Sequence, residues 1–312
     1  MIGSNGQCVR GGDMAKRRDM IIGAVILFAF AGFVFFTVVA LMGFGEQGAF
    51  EFPALGDRIA IVEVDGPIYS SKNVVRQIKK YTDDGSIPAI LLRVDSPGGG
   101  VAASQEIYSQ LLRAREEGKV IVVSMGTVAA SGGLYISMAA DTIVANPGTL
   151  TGSIGVILQY QTIGELADKI GIKTQVIKSG ALKDAGSPWR DATPEDVTHL
   201  QAVIDDTYQQ FVNVIAEGRG MDVLDVLPLA DGRIFTGRQA LEANLVDVIG
   251  DMDDALDIAA GMVGLDTPPK TVMEVPRRQT TFWDLLGRLA FGVIPNFTPE
   301  GFTGPQLLFL YR

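Results

Sequence analysis

The 312-residue sequence has very little histidine and cysteine, with one residue of each, His199 and Cys8. Structural and catalytic zinc sites draw most of their ligands from these residue types, so a His/Cys zinc site is excluded. A cysteine–histidine catalytic pair in the folded body is also excluded, because Cys8 lies in the N-terminal tail. A Ser-His-Asp triad could use only His199, which we interpret as a surface residue on a carboxylate-rich helix. A hydrolase of this composition is therefore expected to work without histidine.

Positive charge is also scarce, because 26 Lys and Arg face 36 Asp and Glu and give a net charge of −10. Nucleic-acid binding requires a basic patch, so we expect no nucleic-acid partner. The charge is unevenly placed. Residues 1–44 carry four basic and two acidic residues, a balance of +2, which leaves −12 for the other 268 residues.

One uncharged run, Met20–Phe44, accounts for much of the 47% hydrophobic content. Its 25 residues would extend about 37 Å as a helix, enough to cross a hydrocarbon core of about 30 Å. A cleaved signal peptide would have a shorter apolar region of about 7–15 residues, so we favour an uncleaved transmembrane anchor. The basic cluster Lys16–Arg18 places residues 1–19 in the cytoplasm and the body on the other side of the membrane. Met14 is an alternative start that would remove Cys8.

After a linker at residues 45–56, strand-like and helix-like patterns alternate through residues 57–265. Such alternation, with several strands apolar on both faces, predicts an α/β domain with a largely parallel sheet. The predicted strands are Arg58–Val64, Ala89–Val94, Val120–Ser124, Thr142–Ala145, Ile154–Leu158 and Thr174–Ile177.

Two features stand out towards the C-terminus. Thr193–Gly218 is the clearest predicted helix, with Thr193 as N-cap, Pro194 at the first position and Asp196 in the capping-box position. Residues 266–312 form a C-terminal segment in which Thr281–Arg312 is apolar and loosely patterned and Leu307–Tyr311 fits an extended strand. We interpret this last segment as a contact for assembly or for the membrane surface.

Two glycine-rich turns each follow a predicted strand and precede a predicted helix. They are Ser96-Pro97-Gly98-Gly99-Gly100 and Ser131-Gly132-Gly133. Such turns present backbone N–H groups to an anion. Neither turn fits the phosphate-binding patterns, so the oxyanion of an acyl-transfer intermediate is the better match.

Ser131 is the candidate nucleophile, because Ala129–Gly133 resembles a nucleophile elbow with alanine in the first position. The N–H of Gly132 would be one oxyanion donor, and Gly98 on the other turn could supply the second. A tight structural turn is the simpler interpretation of the same residues.

The serine needs a base, and lysine is the main candidate, since Ser-Lys pairs are a known variant of the triad. Lys178 and Lys183 flank Ser179–Leu182, and Lys183 lies among small residues. Burial would favour the neutral amine that can accept a proton. Ser153 is a candidate for the hydroxyl that orients it. The residues alone do not separate Lys178 from Lys183.

Taken together, these segments resemble the signal peptide peptidase A family of membrane-anchored bacterial serine peptidases. The matching stretches occur in family order, and the similarity extends over about residues 58–265. They are Leu91–Gly99, Ala130–Ser137, Ala140–Val156, Ser179–Arg190 and Gly232–Gly250.

The resemblance implies a role for each matching residue. Ser131 would be the nucleophile, Lys183 the general base and Ser153 the group that positions the lysine, while Gly98 and Gly132 would form the oxyanion hole. The implied fold is the ClpP/crotonase type, an α/β spiral of ββα units, here preceded by one transmembrane helix. The chemistry implied needs no cofactor and no metal.

The resemblance also implies a homo-oligomeric ring, and residual signal peptides and other short apolar segments as substrates. The expected location is the bacterial inner membrane, with the catalytic domain on the periplasmic or extracytoplasmic side. Two alternatives remain open at this point. One is a related peptidase that cleaves a specific membrane-protein partner, and the other is an inactive membrane scaffold of the same fold.

Overall fold

A computed structural model describes residues 30, 32–34, 56–274 and 308–310, within two compact units formed by Met1–Leu55 and Gly56–Arg312. Of the first unit, Phe30 and residues 32–34 are helical. The rest of the predicted anchor, Met20–Phe44, lies outside the described residues. Among those that are described, no helix is both long enough and apolar enough to span a bilayer.

The second unit is built on an eight-stranded sheet in the order β7-β6-β4-β2-β1-β9, in which β5 also pairs with β4, and β8 pairs with β5. Its pairings are parallel except for β6 with β7. The sheet strands are β1 (Ile59–Asp65), β2 (Ala89–Ser96), β4 (Val120–Ala130), β5 (Thr142–Ala145), β6 (Leu150–Gly152), β7 (Ile234–Thr236), β8 (Val248–Ile249) and β9 (Thr271–Met273). Two further strands, β3 (Gly98–Gly100) and β10 (Leu308–Leu310), form a separate two-stranded sheet, and Gly99 of β3 also forms an isolated bridge with Ile68.

Helices cover both faces of this sheet, as an apolar parallel sheet requires. They are α1 (Lys72–Thr82), α2 (Val101–Glu116), α3 (Gly132–Ser137), α4 (Gly164–Lys169), α5 (Pro194–Arg219), α6 (Val223–Val226), α7 (Gly237–Glu242) and α8 (Met252–Val263), with short 3-10 turns at Ala181–Asp184 and Leu227–Leu229. One face buries Ile59, Leu91 and Val122 against alanines of α8. The larger core on the other face includes Ile78 of α1, Ile107 of α2 and Phe211 of α5.

β4 is longer than the predicted strand and changes partner along its length. Its first half pairs with β5 and its last residues, Val128–Ala130, pair with β6. A bulge separates the halves, because Val94 and Ser96 of β2 lie opposite Met125 and Ala129 of β4. The Asp95 carboxylate accepts hydrogen bonds from the bulged N–H groups of Val128 (3.0 Å) and Thr127 (3.3 Å). Asp95 therefore supports the bulge from the neighbouring strand.

The predicted α/β class with a largely parallel sheet is confirmed, and two of the predicted strands are wrong. Residues 174–177 form no strand, and Val176 and Ile177 are exposed. The other wrong prediction is Ile154–Leu158, because the strand lies earlier, at β6. The chain leaves the sheet at Ser153, whose φ is +52° and whose N–H donates to the Arg233 carbonyl at 2.7 Å.

The capping prediction for α5 is confirmed. The Thr193 hydroxyl accepts from the Asp196 N–H, and the Asp196 carboxylate accepts from the Thr193 N–H. His199 is exposed on this helix, as predicted. The predicted C-terminal strand is also present as β10, although the role assigned to residues 266–312 remains a prediction.

Candidate active site

Ser131 lies at the turn where β4 ends and α3 begins. Its backbone has φ +53° and ψ −113°, a conformation that costs a serine free energy and persists only when neighbours hold it. Its N–H donates to the Gly152 carbonyl at 2.8 Å, and its carbonyl accepts from the Tyr135 N–H at 2.8 Å. A strained serine at a strand-to-helix turn is the geometry of a nucleophile elbow.

The Ser131 hydroxyl is buried and has no hydrogen-bond partner among the described residues. A buried hydroxyl without a partner costs about 1–3 kcal/mol, so such groups are uncommon and point to function. The same observation means that no lysine amine of the described chain lies within hydrogen-bonding distance of Ser131 Oγ.

The two glycine turns come together, as the oxyanion prediction requires. A Cβ atom added to Gly132 would lie 2.7 Å from Ser104 Oγ and 3.1 Å from both Gly98 Cα and Gly99 N. The elbow therefore packs directly on β3, and only glycine leaves room for this approach. The predicted donors Gly98 and Gly132 belong to one site.

The backbone N–H of Gly98 is already engaged in a hydrogen bond. Its N–H donates to the Ser96 hydroxyl at 3.1 Å, and Ser96 is fully buried. An arriving oxyanion must therefore share or replace this bond. Sequence reasoning did not identify Ser96, although a serine two residues before a turn glycine commonly forms such a local bond.

β3 lies between two extended segments. On one side, the Ile68 N–H donates to the Gly98 carbonyl at 2.9 Å and the Gly100 N–H donates to the Ile68 carbonyl at 2.8 Å. On the other side, β10 pairs antiparallel with β3 and places Leu308 opposite Gly100 and Leu310 opposite Gly98. The edge of β3 beside the elbow thus accepts an extended backbone.

Gly99→Ala is expected to disrupt this edge. The added Cβ would lie 2.3 Å from the Ile68 carbonyl oxygen and 2.7 Å from two other Ile68 backbone atoms, none of which can rotate away. We expect a loss of about 1–3 kcal/mol in the free energy of unfolding, together with loss of turnover. Gly148→Ala is the control in chemical denaturation and peptidase assays, because nothing lies within 4 Å of its Cβ position. Equal behaviour of the two variants would contradict the packing argument.

Ser153 is close to Ser131 through the backbone. It follows Gly152, the residue that accepts the Ser131 N–H bond, and it is 8% exposed. It also lines a cleft together with Ile154, Tyr208, Asp205 and Asp231. The structure thus brings Ser153 to the same end of the sheet as the elbow, facing open space.

The two candidate lysines have different surroundings. Lys178 Nζ donates to the Ala181 carbonyl at 2.7 Å and to Asp184 Oδ1 at 2.6 Å. Lys183 is exposed on the 3-10 turn Ala181–Asp184, and its side chain forms no hydrogen bond or ion pair with the described residues. Lys178 is thus tied to the turn, whereas the Lys183 side chain extends from it without a polar contact among the described residues. The exposure of Lys183 differs from the burial expected of a neutral amine, and the choice of base remains a prediction.

Sequence reasoning missed Arg190, whose guanidinium bonds both Asp184 and Asp196. Arg190 and Lys178 together hold the pKa of the Asp184 carboxyl well below its usual range. Arg190 also lowers the pKa of Asp196. Side chains six residues apart are not neighbours on a helix, and on a strand they share a face but lie about 20 Å apart, so the sequence carried no signal for this contact. Within the described residues, no group of three His, Cys, Asp or Glu side chains is placed to hold a metal ion.

Comparison with known proteins agrees with this geometry. The model of peptidase family S49 matches residues 113–266, and that of Clp protease matches residues 55–150. A putative protease from Synechocystis sp., slr0021, is 48% identical over 218 residues, which cover 70% of this chain and 78% of the relative.

For two further relatives, the matching region is a smaller share of the relative's own length. A putative signal peptide peptidase SppA from Enterococcus faecium is 43% identical over 61% of this chain and 55% of its own length. Protease 4 of Salmonella typhi is 36% identical over 67% of this chain and 35% of its own length. With the serine elbow and the paired glycine turns in place, the chain belongs to peptidase family S49 and is a serine peptidase.

Proposed function

We propose that this protein is a membrane-anchored endopeptidase that uses a Ser131–Lys183 dyad to hydrolyse residual signal peptides and other short apolar segments. The observation that carries the proposal is the buried Ser131 hydroxyl, which has no partner in the part of the chain that the structure describes and lies beside the two glycine turns. The name of the Enterococcus relative supports the substrate class.

The reaction is acyl transfer. The neutral amine of Lys183 takes the proton of Ser131 as the serine oxygen attacks the peptide carbonyl. The N–H groups of Gly132 and Gly98 stabilise the oxyanion, a contribution of about 3–4 kcal/mol for each donor, and Ser96 gives up its bond to Gly98 at this step. The Lys183 ammonium then protonates the leaving amine, and water hydrolyses the ester. Ser153 orients the amine through its hydroxyl.

The edge of β3 supports an extended binding mode for the substrate. β10 already lies antiparallel on Gly98–Gly100, beside the elbow. A peptide that takes the place of β10 would gain the same main-chain hydrogen bonds from β3. Its scissile carbonyl would then lie against the N–H groups of the two glycine turns. The proposed fold around Ser131 is the ClpP/crotonase-like spiral.

We further propose a homo-oligomeric ring in which the Lys183 of one subunit serves the Ser131 of its neighbour. The Ser131 hydroxyl has no partner among the residues that the structure describes, and Lys183 lies exposed on residues 157–193, which we name the arm. A second copy would cover apolar side chains that a monomer rarely exposes together. Those on the arm are Ile157, Ile163, Leu166, Ile170, Ile172, Val176, Ile177 and Trp189.

Co-expression of Ser131→Ala and Lys183→Ala chains tests this arrangement. Each variant alone is expected to be inactive, whereas random mixed rings should regain about a quarter of the parent activity per chain, because each working site needs one intact serine and one intact lysine. The measurement is cleavage of an apolar fluorogenic peptide by purified mixed assemblies. Ser131→Ala chains mixed with Ser131→Ala/Lys183→Ala chains provide the control. Inactive mixed rings would place both dyad residues in one chain.

The anchor and the location are part of the same proposal. Met20–Phe44 would cross the bacterial inner membrane once, with the N-terminus in the cytoplasm and the catalytic domain outside it, near newly released signal peptides. Alkaline extraction of membranes is the check, and recovery of the full-length chain in the soluble fraction would contradict the anchor.

A further inference from the structure

The turn that carries Lys183 is held to the body by charged groups. None of the residues of the turn, Ala181–Asp184, is buried. Its firm contacts involve Asp184, whose carboxylate is bonded by Lys178 on one side and Arg190 on the other. Apolar packing therefore does not fix the backbone position from which the Lys183 side chain extends.

Arg190 is the centre of this anchor. Its Nε donates to Asp184 Oδ2 at 3.1 Å, and one terminal nitrogen donates to Asp184 Oδ1 at 2.8 Å and to Asp196 Oδ1 at 3.1 Å. The other terminal nitrogen bonds Asp196 Oδ2 and the Asp191 carbonyl. Such bidentate hydrogen bonds fix the orientation of the guanidinium relative to the carboxylate as well as the distance between them.

The far end of the anchor is rigid. The Asp196 side chain is 1% exposed and also accepts the Thr193 N–H, so it is fixed within the first turn of α5. α5 in turn packs its second half, including Phe211 and Ile215, into the main core. Contacts thus connect the core to Asp196, Asp196 to Arg190, and Arg190 to Asp184, which is the residue next to Lys183.

We propose that Arg190 is a positioning residue for Lys183, because it holds Asp184 against the start of α5 and so fixes the turn from which the lysine extends. The inference rests on the proposed function, since it takes Lys183 as the base. A displacement of about 1 Å in a catalytic group can cost roughly 100-fold in rate, so this contact has a measurable consequence.

The test compares kcat and KM of the full chain, purified in detergent, on an apolar fluorogenic peptide. For Arg190→Met we expect kcat to fall about 100-fold while KM stays within about threefold. The kcat of Arg190→Lys should remain at least about tenfold below that of the parent, because one ammonium cannot form the bidentate hydrogen bonds of a guanidinium. Arg76→Met is the matched control, since Arg76 makes a comparable two-pronged bond to Glu274 on an exposed surface.

The double variant Lys183→Ala/Arg190→Met separates positioning from other roles. If Arg190 acts through Lys183, the double variant should be no slower than Lys183→Ala alone, as expected for residues that act as a unit. A further loss of about tenfold or more would overturn the proposal. So would an Arg190→Met kcat equal to that of Arg76→Met while Lys183→Ala is inactive. An active Lys183→Ala would instead refute the proposed function.

Asp184→Asn keeps the test decisive if Arg190→Met fails to fold. This variant retains the bond between Arg190 and Asp196 and weakens the bonds of Asp184 to Arg190 and to Lys178, and Lys178→Ala measures the second effect by itself. We expect about a tenfold fall in kcat with unchanged assembly size and thermal midpoint. An unchanged kcat, or a loss explained by dissociation of the assembly in sedimentation, would overturn the proposal.

Discussion

Ser131→Ala is expected to abolish peptide-bond hydrolysis and to leave the protein at least as stable as the parent. Loss of a serine nucleophile in such a unit lowers kcat by roughly six orders of magnitude, equivalent to about 8 kcal/mol at 1.36 kcal/mol per tenfold. The free energy of unfolding should not fall with kcat, because the substitution removes a buried hydroxyl that has no partner among the described residues. We expect the free energy of unfolding to stay constant or to rise by up to about 2 kcal/mol.

Cleavage of an apolar signal peptide and of casein, together with chemical denaturation, measures both effects. Ser109→Ala, at an exposed position on α2, is the control and should change neither quantity. A Ser131→Ala protein that still cleaves peptides would refute the assignment of the nucleophile. A large fall in stability would mean that the hydroxyl has a structural partner.

Lys183→Ala is expected to lower kcat by about four orders of magnitude, at the upper end of what general acid–base catalysis supplies. Lys178→Ala should retain most of the activity. Its ammonium supports the turn through Ala181 and Asp184, and partly exposed ion pairs of this kind contribute only about 0–1 kcal/mol. The measurement is the acylation rate of Ser131 by a serine-reactive probe across pH, in assembled protein. An inactive Lys178→Ala beside an active Lys183→Ala would transfer the role of base to Lys178.

The parts of the site that sequence predicted correctly carry their information locally. The elbow around Ser131, the glycines on β3 and the capping box of α5 each depend on residues within a few positions. Resemblance to a family was needed to choose Lys183 over Lys178, and that choice remains a prediction. The structure adds that Lys178 is bonded to Asp184.

The parts that sequence missed depend on partners distant in the chain. β4 runs to Ala130 because Asp95 of β2 supports its bulge. Residues 174–177 contain β-forming residues but are not a strand, because the composition of so short a run does not specify a partner strand. Arg190 was missed for a different reason, because its two carboxylates are only six residues away but at a spacing that brings side chains together in neither a regular helix nor a regular strand.

The pairing of β1 with β9 has a consequence for biosynthesis. β1 is made early, yet its outer edge is covered only when Thr271–Met273 aligns with Ile59–Ile61. A nascent chain on the ribosome therefore carries an apolar strand with an open edge while almost all of the catalytic domain is still being translated. Open edges of this kind recruit strands from other chains. Premature termination before residue 271 would leave that edge permanently exposed, so truncated translation products should aggregate rather than form a smaller peptidase.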